Sequence, residues 1–114
     1  MKVAVVGSRD IVDYNWISKV LDKYSIDEII SGGAKGVDSL AARYAIEHKI
    51  ELTVFRPEWQ AYGKSAGFIR NKLIVDHSEH VIAFWDGKSA GTKHSIEYAQ
   101  KRNKLVEIYL SDNR

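Results

Sequence analysis

Glycine, arginine and small hydroxyl residues recur together along this chain, and the chemistry they share is recognition of an anion. Gly7-Ser8-Arg9-Asp10 follows one apolar run, Gly32-Gly33-Ala34-Lys35-Gly36 a second, and Asp86-Gly87-Lys88-Ser89-Ala90-Gly91-Thr92 a later one. Glycine lets backbone N–H groups come close to an anion, and arginine offers a planar fork of donors that fits phosphate. The candidate ligand-binding residues are therefore Gly7, Ser8, Arg9, Gly32, Gly33, Ala34, Lys35, Gly36, Asp86, Gly87, Ser89, Gly91 and Thr92. Thr92 is also expected to cap a helix. Asp38 lies in the first turn after the second loop; it either complements the helix dipole or touches a ribose hydroxyl. Lys35, Lys64, Lys88 and Lys93 add positive potential nearby.

Catalytic signals are weaker. Asp38, Asp86 and Glu97 are the carboxylates available to a bond-cleaving step, and His94 is the one histidine of four near the loops. His77 and His80 have His-x-x-His spacing without a third ligand nearby, so no metal site is read. No Gly-x-Gly-x-x-Gly follows the first apolar run, which argues against an ordinary dinucleotide dehydrogenase. Gly63-Lys64-Ser65 and Gly87-Lys88-Ser89 look like the end of a P-loop, but Glu58 and Ile82 stand where its first glycine belongs. Trp59 and Tyr62, in the longest loop, offer faces on which a purine can stack, Trp59 being the chosen candidate.

These loops need a scaffold that gathers them. Residues 3–6, 27–31, 52–55, 80–85 and 105–110 read as short apolar strands; 13–24, 37–49, 67–77 and 92–103 carry helical spacing, and 58–66 reads as irregular. Strands covered on both faces need no polar alternation, as Val3 to Val6 illustrates. Alternating strands and helices predict a three-layer α/β, Rossmann-like fold with a five-stranded parallel sheet in the order 3-2-1-4-5. The glycine-bearing loops then all fall on the carboxyl edge, where open α/β sheets hold ligands, while Lys49-Ile50 and Asn103-Lys104 on the other edge lack glycine. Trp16, Phe68, Leu73 and Trp85 are assigned to the core.

Composition sets the outer bounds. At 114 residues and 45% apolar, the chain is expected to be one domain over 1–114. Without cysteine it can form neither disulfides nor thiolate chemistry. A net charge of +2 is mild for a nucleic-acid binder, so nucleic acid is the lesser expectation. The first apolar run is too short for a signal peptide or a membrane span. The chain is therefore expected to be cytoplasmic, with no membrane partner.

Read as strings, Ile30-Ser31-Gly32-Gly33-Ala34-Lys35-Gly36-Val37-Asp38, Gly67-Phe68-Ile69-Arg70-Asn71 and Trp85 to Thr92 resemble a known signature. The chain is similar to the SLOG superfamily of Rossmann-like proteins, in its YspA/YpsA-related branch. That superfamily includes the single-stranded-DNA-binding DprA proteins and the LOG phosphoribohydrolases. The resemblance implies a pocket for nucleotides or nucleotide-derived messengers such as ADP-ribose derivatives, and it adds Arg70 and Asn71 to the ligand contacts. Arg70 matches the LOG arginine, but Ser95 stands where the LOG catalytic glutamate belongs, and Glu97 lies two residues on. The leading expectation is thus a module that senses or sequesters a nucleotide-derived ligand. The alternatives are a LOG-like nucleotide-cleaving enzyme and a DprA-like nucleic-acid binder. No cofactor is expected, and a homodimer through helix faces that include Tyr98 is.

Overall fold

A computed structural model describes residues 1–111. Five parallel strands, β1 (Lys2–Gly7), β2 (Glu28–Ser31), β3 (Glu51–Val54), β4 (His80–Trp85) and β5 (Leu105–Leu110), form one sheet in the order β3-β2-β1-β4-β5. Five helices connect and flank them: α1 (Tyr14–Leu21), α2 (Val37–Glu47), α3 (Trp59–Tyr62), α4 (Ala66–Asp76) and α5 (Ala90–Lys101). The fold class and strand order are those expected from the sequence.

The sheet is buried on both faces, and alternation along each strand decides which layer a residue joins. Val3 and Val5 of β1, with Ile82 and Phe84 of β4, pack with α1 and α2 around Ile17, Leu21, Ala41 and Ala45. Ala4, Val6, Val81 and Ala83 face the other way, onto Ile74 and Val75 of α4 and Ile96 and Ala99 of α5. Alanine at three of these contacts brings the second layer close to the sheet. Trp16 is half-buried and meets Phe84 edge-to-face, with ring centroids 5.1 Å apart.

Several boundaries differ from expectation for local reasons. Asp13 caps α1 by accepting from the Trp16 amide at 3.2 Å, and the helix stops at Leu21 rather than at 24. The segment 58–66 is not irregular: α3 and a 3₁₀ turn (Gly63–Ser65) lead straight into α4. Thr92 is not the cap of α5; Ser89 holds that place, with the two hydroxyls 3.2 Å apart. Phe68 and Leu73 are not core, being 49% and 41% exposed. Helix α4 turns Arg70 and Asn71 toward the carboxyl edge and buries Ala66, Ile74 and Val75, which leaves Phe68 and Leu73 outside. Trp85 is half-buried, its indole N–H donating to the Ser89 carbonyl at 3.1 Å.

Candidate functional site

The carboxyl edge carries a cleft of about 520 Å³ where β1 and β4 part company with their helices. That is the topological switch point of the sheet, because the chain runs from β1 outward to β2 and β3 and then returns to β4. Gly7, Arg9 and Asp10 line it from β1; Ala34 and Asp38 from the start of α2; Arg70, Asn71 and Ile74 from α4. The fourth wall is Asp86, Lys88, Ser89, Gly91, Thr92 and Ser95, at the entry to α5. Segments more than 80 residues apart in the chain thus meet at one place.

Arg70 is the best-supported side chain of the site. Its Nη1 donates to the Gly32 carbonyl at 2.7 Å, and its Nε to Asn71 Oδ1 at 3.0 Å. Burial pushes its pKa down; the Asp38 carboxylate opposes that, and the Arg9 charge adds to it. A guanidinium that is partly desolvated and faces a like charge gains more from an incoming anion than one in open water.

Asp38 is buried among these cations and accepts from the Ala34 amide at 3.0 Å. Burial raises its carboxyl pKa above the usual range, against the pull of the Ala34 amide, Arg70 and Arg9. It reaches back across its own loop rather than capping α2, whose N-cap Gly36 has no side-chain bond. Asp86 differs. Its Oδ1 accepts from the Ser89 and Lys88 amides, both at 2.8 Å, and these bonds hold its pKa below the usual range. That carboxylate shapes the loop before α5.

Arg9, Arg70 and Lys88 share the lining with Asp10, Asp38 and Asp86, so cations and carboxylates occur there in equal number. Lys35, Lys64 and Lys93 do not line the cleft, so the positive charge expected there comes from two arginines and Lys88.

The second loop does something other than expected. Gly32 is buried beneath the side chains: a Cβ there would lie 2.6 Å from Arg70 Nη1 and 2.9 Å from Asp38 Oδ2. Gly36, at φ +71°, packs on the first loop, where a Cβ would come within 2.5 Å of the Ser8 and Arg9 carbonyl oxygens. Gly33 sits against Arg56, whose Nη1 donates to its carbonyl at 3.4 Å. Of the run Gly32 to Gly36, Ala34 reaches the cleft wall, while Gly32, Gly33, Lys35 and Gly36 do not. Ser8 is buried and accepts from the Asp86 amide at 3.1 Å, tying the first loop to the loop before α5. Gly87 and Trp59 also lie off the lining; Trp59 is over half exposed.

Asp10, Ile74 and Ser95 line the cleft without having been candidates for it. Helical spacing was the available signal: Ile74 is four residues from Arg70, and Ser95 four from Gly91. Ser95 lines the cleft with a hydroxyl, and its Oγ donates to the Gly91 carbonyl at 3.3 Å. Glu97 is absent from the lining, and so is His94, which packs edge-on against Phe68 with centroids 4.5 Å apart. Burial lowers the His94 pKa. His77 packs on the Phe55 ring, and His80 is buried with Nε2 3.2 Å from Glu107. Among the described residues no group of three His, Asp or Glu gathers as a metal cluster, and no helix is long and apolar enough to cross a membrane.

Comparison with known proteins agrees with this architecture. The chain is 34% identical over 79 residues to the Gene 61 protein of Mycobacterium phage D29, an alignment covering 64% of this chain and 63% of that one. It is 44% identical over 32 residues to the SPbeta prophage-derived protein YoqJ of Bacillus subtilis strain 168, covering 28% and 19%. Among solved structures, DNA processing protein A from Streptococcus pneumoniae superposes with a TM-score of 0.81 at 22% identity, over 98% of this chain and 51% of that one. The Helicobacter pylori counterpart, from a study of its single-stranded DNA binding mode, superposes at 0.74 and 25%, over 100% and 67%. The chain therefore spans less than two thirds of its phage relative and about half of the pneumococcal protein. Residues 1–62, which carry the first two loops and Asp38, match the YspA, cpYpsA-related SLOG family (YAcAr), and the chain belongs to that family.

Proposed function

We propose that the chain binds a nucleotide or nucleotide-derived anion, of the ADP-ribose kind, in the carboxyl-edge cleft, and that it senses or sequesters this ligand rather than cleaving it. The observation that carries this reading is the convergence of Arg9 and Arg70 on one cleft, with Asn71, Ser89 and Thr92 as further polar groups beside them. Asp38 is the carboxylate buried beside these two guanidinium groups, and an incoming anion would add to the compensation it gives them. Ser95 at the position of the LOG glutamate supports binding over glycosidic cleavage, because a serine hydroxyl cannot do a carboxylate's work there. The protein would act in the cytoplasm and as a homodimer.

A thermal-shift screen against mononucleotides, ADP-ribose variants and short single-stranded oligonucleotides tests the reading, with mass spectrometry of the recovered ligand. The expected result is a rise in Tm by mass action that disappears in Arg9→Ala and Arg70→Ala, with the ligand recovered intact. Fragments in place of the intact ligand would make the protein an enzyme. No shift with any mononucleotide derivative sinks the proposal.

Single-stranded nucleic acid is a second reading, favoured by the likeness to the H. pylori protein and its single-stranded DNA binding mode. Its signature is an affinity that falls steeply with salt, because each neutralised phosphate releases counterions.

A further inference from the structure

Beside the arginine cleft lies a second groove of about 480 Å³, between the exit of β3 and the side of α4. Val54, Phe55, Pro57, Tyr62, Ile69 and Leu73 make most of its wall apolar, with Arg56 and Glu58 adding a charge of each sign, whereas the cleft next to it is lined mainly by polar and charged side chains. Arg70 lines both, so the two cavities share a side chain and lie side by side. Each lies within the roughly 300–1,000 Å³ of a small-ligand site, so a phosphate group in the cleft leaves the groove for another part of the same molecule.

The groove presents one open aromatic ring, that of Tyr62. Tyr62 is 49% exposed; Trp59 and Phe68 are also exposed, but they lie off the groove's lining. Trp59 lies over Gly67 at the start of α4, where a Cβ would stand 3.8 Å from its ring. An exposed ring in a groove that shares an arginine with the anion cleft suits a nucleotide: the base stacks on the ring while the phosphate reaches the arginine.

We propose that this groove holds the base of a two-part ligand, stacked on Tyr62, while the phosphate of the same ligand occupies the Arg9–Arg70 cleft. The proposal rests on the anion-binding reading above and adds to it a base and a place for that base. A free nucleoside diphosphate derivative and a nucleotide within a single strand present the same pair of groups.

Calorimetric titration of the full chain with inorganic pyrophosphate, ADP, ADP-ribose and a short oligothymidylate tests it. In the wild type a base-bearing probe should bind more tightly than pyrophosphate. Tyr62→Ala should weaken that probe about ten-fold, within the span seen for stacking aromatics, and leave pyrophosphate within about two-fold. Tyr62→Phe should restore binding, since it keeps the ring. Tyr62 is half exposed, so an unchanged Tm is expected for both variants; Leu73→Asp, which places a charge in the groove, is a second probe with the same expected pattern. Pyrophosphate bound as tightly as the base-bearing probes, or no effect of Tyr62→Ala on them, overturns the groove and leaves the anion cleft standing. No binding of any probe by the wild type overturns both. Where the groove holds, the probe that Tyr62→Ala weakens most, nucleotide or oligothymidylate, identifies the source.

Discussion

Arg70 and Gly32 work as a pair, and the pair makes a prediction that a turn-forming glycine would not. A Cβ at position 32 meets the ends of two side chains, Arg70 Nη1 at 2.6 Å and Asp38 Oδ2 at 2.9 Å, and no backbone atom, so both can shift without moving the chain. Gly32→Ala should therefore cost little stability, about 1 kcal/mol or less, yet weaken anion binding about ten-fold by displacing the guanidinium. Gly36→Ala is the contrast. Its Cβ meets backbone carbonyls at a positive φ, so about 2–4 kcal/mol of stability should go, read by denaturant unfolding. Asp38 makes a second residue-scale prediction, through pH. Its raised folded pKa means that the native state holds this proton more tightly than the unfolded chain does. The associated stability is fully present below the unfolded carboxylate value and is lost as pH rises through the folded one. Asp38→Asn should then raise Tm at neutral pH, with the gain shrinking on acidification. A Tm gap that does not change with pH would refute burial as the cause of the shift. The same variant separates two roles: tighter pyrophosphate binding marks a charge effect, whereas weaker ADP-ribose binding marks a ribose contact.

At the level of elements, the entry to α5 is set by the loop before it. Asp86 accepts two amide N–H groups, and the Trp85 indole donates to the Ser89 carbonyl, so the loop is tied at both ends. Losing a side chain that caps backbone amides costs about 0.5–2 kcal/mol. Asp86→Ala should lose stability in that range, whereas Asp86→Asn, which keeps an acceptor, should lose less; chemical denaturation measures both. Because the bonds from Ser89 and Lys88 depress the Asp86 pKa, its contribution persists at neutral pH and fades as pH falls below the ordinary carboxylate range. Helix α4 was the element whose role was hardest to read. Its apolar residues do not fall on one stripe, since the side that faces the cleft carries Arg70 and Asn71.

For the molecule as a whole, the two-layered core makes the centre of the sheet the costly place to cut. Phe84 is fully buried between Trp16 and Tyr109, and Phe84→Ala should cost about 3–5 kcal/mol by equilibrium unfolding. The homodimer proposed above is open to sedimentation: a mass of one chain at micromolar concentration would remove it. Tyr98, expected on the pairing face, is already held within its own chain by Asp76, with both carboxylate oxygens 2.9 Å from its hydroxyl.

The strand order, both helical layers and the carboxyl-edge address of the loops were legible in the sequence, since β-branched runs, helical spacing and right-handed crossovers are local or topological rules. So were Arg9, Arg70, Asn71, Asp38, Asp86, Ser89 and Thr92 as residues that the fold gathers at one cleft. Tertiary structure decided which glycines face that cleft and which pack beneath it. Gly32 and Gly36 look alike in sequence, yet one makes room for Arg70 and the other for the first loop. It also decided that Phe68 and Leu73 lie outside, and that Tyr62 rather than Trp59 lines the second groove. The reason is physical: a residue's conformational preference travels with it, but the atoms that it meets are supplied by distant segments and exist only once the sheet has brought them together.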